Sequence, residues 1–462
     1  MKMNSKYYKA PLLGTKFPLL CLGLALMISG CFTKKSDREE TETTTTEKAP
    51  TRDSKESTAT TPTPTPVANA KVDVDIYLEV SNGMKGFMPP PAADKEPTTF
   101  QNRLTKLISE VQDGVHVDDK RFYLAKQNAQ GAPVLDSVSY NTLKLTIVSG
   151  IKDNVLGTPL PDMLQAALTN STKRGALSVV VSDFIHGPDP NNPGQFLSLD
   201  ADIRSSLKQA EHQNLVVAVL AEASPFYGNY YPAVKKPAVK QTLSGQEIPF
   251  YIWIVGKQAD VQTFTNKVLR NLPAQQAYFG FSYASVPYSA VLKANAFKPM
   301  GVVYCTSRTA ETCTTINLAP ENKEPVEFTI GLDLSSLPAT MQAVDYLKQN
   351  LKLAITGGKA SIGTILVANE DTKSAPGVSQ FTHFVRVKVP QLTAKTGSIT
   401  LNLPQAVPTW ISQWSTGNDN NPASAPRKTY QFNKIIDGVQ ALYRDKSEFV
   451  FSATMKFNKE TN

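Results

Sequence analysis

The run Ala176-Leu177-Ser178-Val179-Val180-Val181-Ser182-Asp183 constrains the fold of this 462-residue chain more than any other stretch. A strand with one wet face alternates apolar and polar residues, whereas a strand covered on both faces reads as a near-continuous β-branched run. These residues therefore predict a strand deep inside a sheet with helices on both sides. Around it, strand-like and helix-like runs take turns. Val74-Asp75-Ile76-Tyr77-Leu78-Glu79-Val80 predicts a first strand that ends in the turn Ser81-Asn82-Gly83, and Phe122-Tyr123-Leu124-Ala125 a second. Residues 100–111 place Phe100, Leu104, Leu107, Ile108 and Val111 on one helical face. Further helices are expected over 162–168, 202–212 and 260–272, with buried strands at 215–220 and 250–255. The alternation predicts an α/β domain over 71–273, built on a doubly wound, mostly parallel sheet.

After residue 273 the pattern changes. Residues 326–332, 351–355, 384–389, 398–403 and 449–453 all alternate apolar and polar side chains, and Gly, Pro and Asn turns separate them. Residues 274–462 are therefore expected to form a β-sandwich-like domain. One helix interrupts it, with Phe432, Ile435, Ile436, Val439, Leu442 and Tyr443 on a shared face, and Trp410 and Trp414 read as a helical pair facing the sandwich.

The N-terminus carries a different message. Lys2, Lys6, Lys9 and Lys16 precede an apolar run over 17–28, which is too short for a permanent membrane span and reads as a secretory signal. The sequence Ile28-Ser29-Gly30-Cys31 that closes it resembles the bacterial lipobox. That resemblance implies a cleaved signal peptide over 1–30, lipidation of Cys31 and membrane attachment through the lipid. Phe32, where a sorting Asp would stand, implies the outer membrane facing the periplasm. Residues 31–70 are rich in Thr, Pro and charge, a composition that cannot bury enough apolar surface to fold, so a disordered tether is expected.

Half of the formal charge of +8 comes from the four signal lysines, which leaves about +4 on the remaining residues. So modest a charge argues against nucleic-acid binding. Of the four cysteines only Cys305 and Cys313 fall in the folded body. They flank a short loop between two strand-like runs, and a disulfide across that hairpin is expected, contributing about 2–3 kcal/mol. The rival, a metal site, lacks a nearby His or third Cys.

In an open α/β sheet, ligands sit beyond the carboxyl ends of the strands. Three polar groups fall there: Glu79-Val80-Ser81-Asn82-Gly83-Met84 after the first strand, Gly157-Thr158 before a helix, and Ser182-Asp183 at the end of the valine run. In order and spacing this set resembles the von Willebrand factor A domain and its metal-ion-dependent adhesion site. The resemblance covers about residues 72–272 and implies a Mg²⁺ or Mn²⁺ held by Glu79, Ser81, Thr158 and Asp183, with one position left for an acidic group on the partner. Met84 also matches. Two positions depart from the pattern: Glu79 is one methylene longer than the usual Asp, and Gly83 lacks a hydroxyl. Taken singly, these residues have plainer readings. Asp183 caps a turn, Ser81 and Thr158 serve as turn and N-cap residues, and Gly83 supplies a positive φ.

Phe226, Tyr227, Tyr230 and Tyr231, within a Pro- and Gly-containing segment after a strand, are candidates for a partner-binding rim. The rival reading packs them at a domain junction. Asn418-Asp419-Asn420-Asn421 is expected as a mobile acidic loop. No histidine metal spacing, nucleophile elbow, phosphate loop or dinucleotide fingerprint is present, so no enzyme is expected. The combined reading is an envelope lipoprotein that binds a protein or cell-envelope polymer. A metal-dependent envelope hydrolase using Glu79 and Asp183, or a structural lipoprotein with a decayed metal site, are the alternatives.

Overall fold

The valine run lies where its composition demands, at the middle of a sheet. The structure is a computed structural model, and it describes residues 71–92, 96–152, 154–155, 159–186, 197–233, 241–269, 271–273, 275–307, 309, 312–320, 324–373 and 377–460. The signal, Cys31 and the tether lie outside these. Among the described residues no helix is long and apolar enough to cross a membrane.

Seven strands form the largest sheet: β1 (Val72–Glu79), β2 (Val117–Gln127), β3 (Pro133–Val138), β4 (Leu177–Ser182), β5 (Val216–Tyr230), β6 (Gln241–Gly256) and β7 (Gln275–Phe279). Their order is β3-β2-β1-β4-β6-β5-β7. Every residue of β4 is buried. Successive side chains of a strand point to opposite faces, and the core divides accordingly. Leu177, Val179 and Val181 join Ile76 and Leu78 of β1 and Ile252 and Ile254 of β6 on one face. There they meet Phe100, Leu104 and Leu107 of α1 (Thr99–Asp113) and Leu143 and Ile147 of α2 (Tyr140–Ser149). The start of α1 is held by Thr98, whose hydroxyl accepts from Gln101 N while the Gln101 side chain accepts from Thr98 N, satisfying two amides that the first turn leaves open.

On the opposite face Val180, Tyr77, Tyr251 and Trp253 pack against α3 (Leu160–Thr172) and α4 (Leu199–Ser206). The helix Phe432–Ala441, far along the chain, completes that layer, with Phe432, Ile435 and Val439 in the same core. Trp410 belongs there too, stacked on Phe432 at 5.9 Å, and Trp414 packs edge-on against it at 5.7 Å. The tryptophan pair therefore faces the seven-stranded sheet and not the sandwich expected for it. Its indole N–H donates to Gln276 O on β7.

An α/β arrangement with helices on both faces is thus present, but the sheet is mixed and not mostly parallel. Only β1–β2 and β1–β4 run parallel; the β2–β3, β4–β6, β5–β6 and β5–β7 pairs are antiparallel. The cause is one long hairpin. β5 continues through Ser224 and Pro225 to Tyr230, with a register shift between Phe226 and Tyr227, and β6 returns to lie between β5 and β4. Parallel neighbours need a crossover connection of about a dozen residues or more, whereas a hairpin pairs its strands antiparallel.

The remaining strands are β8 (Tyr288–Val291), β9 (Val302–Cys305), β10 (Thr315–Ala319), β11 (Val326–Leu332), β12 (Lys352–Ile355), β13 (Gly358–Val367), β14 (His383–Leu392), β15 (Thr396–Pro404), β16 (Ser415–Thr416), β17 (Thr429–Tyr430) and β18 (Phe449–Lys459). They give a four-stranded sheet β13-β14-β11-β8, a five-stranded sheet β12-β15-β18-β10-β9 and the short parallel pair β16–β17. Phe328, Ile330 and Val387 of the first and Leu401, Met455 and Ile316 of the second share one apolar core. Cys305 and Cys313 are disulfide-bonded with their Cα atoms 5.7 Å apart, beside the β9–β10 pairing.

Candidate functional site

The parallel pairing of β1 with β4 brings the ends of both strands together. Glu79, the last residue of β1, and Ser182, the last of β4, are hydrogen-bonded, with the serine hydroxyl donating to Glu79 Oε2. The same hydroxyl accepts from Phe184 N at 2.9 Å, and Asp183 Oδ1 accepts from Ile185 N at 2.9 Å. Between them the chain turns sharply: Phe184 has φ of 55°. That left-handed conformation is unusual for a bulky residue and costs about 1–3 kcal/mol. Burial of the ring holds it there, stacked on Trp253 at 4.6 Å and edge-on to Tyr251 at 5.6 Å.

The β1 loop faces this turn. Ser81 is buried and its hydroxyl accepts from Met84 N at 3.3 Å. Gly83 has φ of −65°, in the right-handed region, and so does not supply the positive φ of its plainer reading. A Cβ at Gly83 would stand 3.4 Å from Ser81 Oγ and 3.6 Å from Asp183 Oδ2, so the missing side chain would have pointed between these two oxygens. Asn82 N donates to Val155 O at 2.9 Å and Lys85 Nζ to Asn154 Oδ1 at 2.9 Å, which ties this loop to the segment leading to Thr158. Thr158 itself lies outside the described residues.

Both carboxyl groups are buried, and no ion pair joins either to a lysine or arginine among the described residues. Burial pushes the Glu79 carboxyl above its ordinary value, opposed by hydrogen bonds from Ser182 and Ser81. Asp183 is held well above the usual carboxylate range, first by burial and then by the charge of Glu79, with Asp419 adding to it. A buried pair of like charges without a cation must keep a proton or take a cation. Among the described residues no group of three or more His, Cys, Asp and Glu is arranged to hold a metal. The oxygen set is therefore two carboxyls and hydroxyls, the kind of donor set that suits Mg²⁺, which retains several waters.

No protein-family model, no curated protein and no solved structure matches this chain. Its chemistry has to be read from its own residues.

The aromatic segment is placed differently from the expected rim. Phe226 and Tyr230 are buried strand residues of β5, and Phe226 packs edge-on against Phe87 at 5.0 Å. Neither offers a surface to a partner. Tyr231 is 37 % exposed, and Tyr227, half-buried, lines a groove of about 430 Å³ with Pro89, Pro90, Pro91 and Val148. The strand reading was missed because Pro225 and Gly228 look like loop residues. The alternation of buried Ser224, Phe226 and Tyr230 with more open neighbours was the available signal.

Asp419 is a residue of this neighbourhood that sequence reasoning missed. It was expected on a mobile loop, yet it is buried and its Oδ2 accepts from Ala233 N at 2.6 Å and from the Tyr230 hydroxyl at 3.4 Å. Nothing in the local sequence signals a contact across 186 residues. Asp75, on β1 four residues before Glu79, is separate from the site: it pairs with Arg174 and accepts from the Tyr77 hydroxyl.

Proposed function

We propose that this protein is a cell-envelope lipoprotein that recognises a protein or envelope polymer through a von Willebrand factor A-like sheet. Recognition would use a Mg²⁺ or Mn²⁺ at the carboxyl ends of β1 and β4. One observation carries the reading: Ser81 Oγ and Asp183 Oδ2 flank the open side-chain position of Gly83, the Ser182 hydroxyl ties buried Glu79 to the same strand ends, and among the described residues no lysine or arginine pairs with either carboxyl. Glu79, Ser81 and Asp183 would hold the ion, with Thr158 as the further oxygen. A bound ion would supply an open coordination position that accepts an acidic group of the partner.

The chain's own residues prepare that site. Ser182 orients the Glu79 carboxyl and the turn at Phe184 at once, because its hydroxyl donates to one and accepts from the other. Ile185 N occupies one oxygen of Asp183, which leaves Oδ2 directed towards Gly83. A lipid at Cys31 would anchor the chain to the membrane.

Thermal unfolding of the full chain in chelator, in millimolar Mg²⁺ and in millimolar Mn²⁺ tests the reading, beside Asp183→Asn. An ion that binds only the folded state adds about 2.7 kcal/mol at a hundredfold excess over its dissociation constant. A metal-dependent rise that disappears in Asp183→Asn supports the site. An identical midpoint in chelator and in both metals sinks it.

A further inference from the structure

The carboxyl end of the seven-stranded sheet is covered by a distant part of the chain. β16 and β17 pair in parallel, and the segment between them is fastened to the sheet at three points. The Tyr251 hydroxyl donates to Thr429 Oγ1 at 3.0 Å, and Tyr251 is the cross-strand neighbour of Ser182. Arg427 forms an ion pair with Glu247 at 2.6 Å, and its backbone N–H donates to Glu247 O at 3.2 Å. Asp419 takes the hydrogen bonds from Ala233 N and the Tyr230 hydroxyl. Tyr251 also stacks on Phe432 at 4.3 Å, where the segment runs into the helix Phe432–Ala441.

A buried carboxylate is costly, and Asp419 is buried near a second one, Asp183. Its charge bears on Asp183, and both Asp419 and Asp183 act on the Tyr230 hydroxyl, pushing its ionisation upward behind the larger effect of burial. The acidic group is therefore buried beside the strand ends that an acidic partner would have to reach.

We propose that the segment between β16 and β17 is a strap whose Asp419 closes the Glu79–Ser81–Asp183 end of the sheet, so that an outside carboxylate binds there only by displacing it. The proposal rests on the acid-recognising reading given above. It makes the site's resting state self-occupied, with an aspartate supplied in cis, and the partner's recognised group a carboxylate that competes with it. Release of the Tyr230 and Ala233 contacts opens the site. Thr429 and Arg427 then decide how far the strap lifts.

The experiment has two arms on the full chain. Hydrogen–deuterium exchange is followed on peptides covering 182–186 and 229–233 in wild type, Asp419→Ala and Tyr230→Phe. A strap over the site predicts about tenfold faster exchange in both peptides of Asp419→Ala, with a smaller rise in Tyr230→Phe, which removes one hydrogen bond and keeps the fold. Faster exchange confined to 229–233 overturns the strap. In the second arm Mn²⁺ and then acetate are titrated by water-proton relaxation. Asp419→Ala is expected to bind Mn²⁺ more weakly, having lost a nearby negative charge, but to respond to acetate at about tenfold lower concentration. A purely structural role moves both affinities in one direction, and an equal acetate response in the two proteins overturns competition. If no protein binds Mn²⁺ while exchange at 182–186 still rises in the variants, the metal reading falls and the competing carboxylate with it, and only the strap's cover of the strand ends remains.

Discussion

Ser182 on β4 donates a hydrogen bond to the carboxyl of Glu79 on β1, although 103 residues separate them in the chain. The bond exists because β1 and β4 are parallel neighbours whose ends coincide, with Leu78 opposite Val181. It fixes one carboxyl beside the turn that carries the other. The acid–base behaviour of the folded chain follows from that arrangement.

Glu79 and Asp183 are both raised above their ordinary values of 4.5 and 3.8, by burial in the first place. The folded chain therefore retains protons that the unfolded chain has released. The resulting stabilisation is complete below the unfolded values and is lost as pH rises through the raised folded ones. In chelator, the stability of wild type relative to Asp183→Asn is expected to fall as pH is raised from about 4 through neutrality, because each unit of displacement corresponds to about 1.4 kcal/mol. Urea melts of both proteins across that range check it. The subtraction removes the opposite contributions of His186 and His383, both lowered by burial. Parallel profiles for the two proteins would contradict the assignment.

Two glycines of the same loop should respond in opposite ways to a side chain. At Gly83 the backbone is right-handed and an added Cβ makes only ordinary contacts with Ser81 and Asp183. Gly83→Ser is expected to stay within about 0.5 kcal/mol of wild type in urea and to tighten Mg²⁺ binding by adding a hydroxyl. At Gly86 the Cβ would overlap the buried ring of Phe226. Gly86→Ala should cost about 1–3 kcal/mol, since the ring can yield only by disturbing the core around Phe87 and Tyr230. Equal stabilities for the two variants would show the loop to be packed otherwise.

Asp75 is fully buried and ion-paired with Arg174, whose guanidinium also reaches Asp119. Burial pushes Asp75 upward more strongly than Arg174 pulls it down. Removing the cation alone strands the carboxyl, so Arg174→Met should cost about 3–5 kcal/mol in denaturant unfolding. The double variant Asp75→Asn/Arg174→Met should recover most of that loss, as no unpaired charge remains. Additive costs would mean that the two residues contribute independently.

Much of the site was legible because its residues terminate strands whose own composition marks them. Glu79 and Asp183 each close an apolar run, and the rule that ligands sit beyond strand ends brings Ser81 and Gly83 with them. The aromatic segment was misplaced because Pro225 and Gly228 are turn-like residues, while the long partner strand β6 keeps β5 extended through them. The plainer alternative for Gly83, a positive φ, does not hold, since a glycine in a turn does not by itself reveal which conformation it serves.

By itself, the sequence determined the burial and local form of its periodic segments. The valine run had to be covered on both faces, and the alternating segments after residue 273 had to be half-buried strands, because burial of apolar side chains is written in local periodicity. Only the tertiary structure decided strand direction and neighbourhood. Buried parallel and antiparallel strands bury the same side chains, so nothing local distinguishes β6 lying antiparallel between β4 and β5 from a helical crossover. The same holds for Asp419 and Trp410, which reach the first sheet from the far end of the chain. Their partners are chosen by backbone pairing and close packing between distant elements, and those energies have no counterpart in the residues on either side.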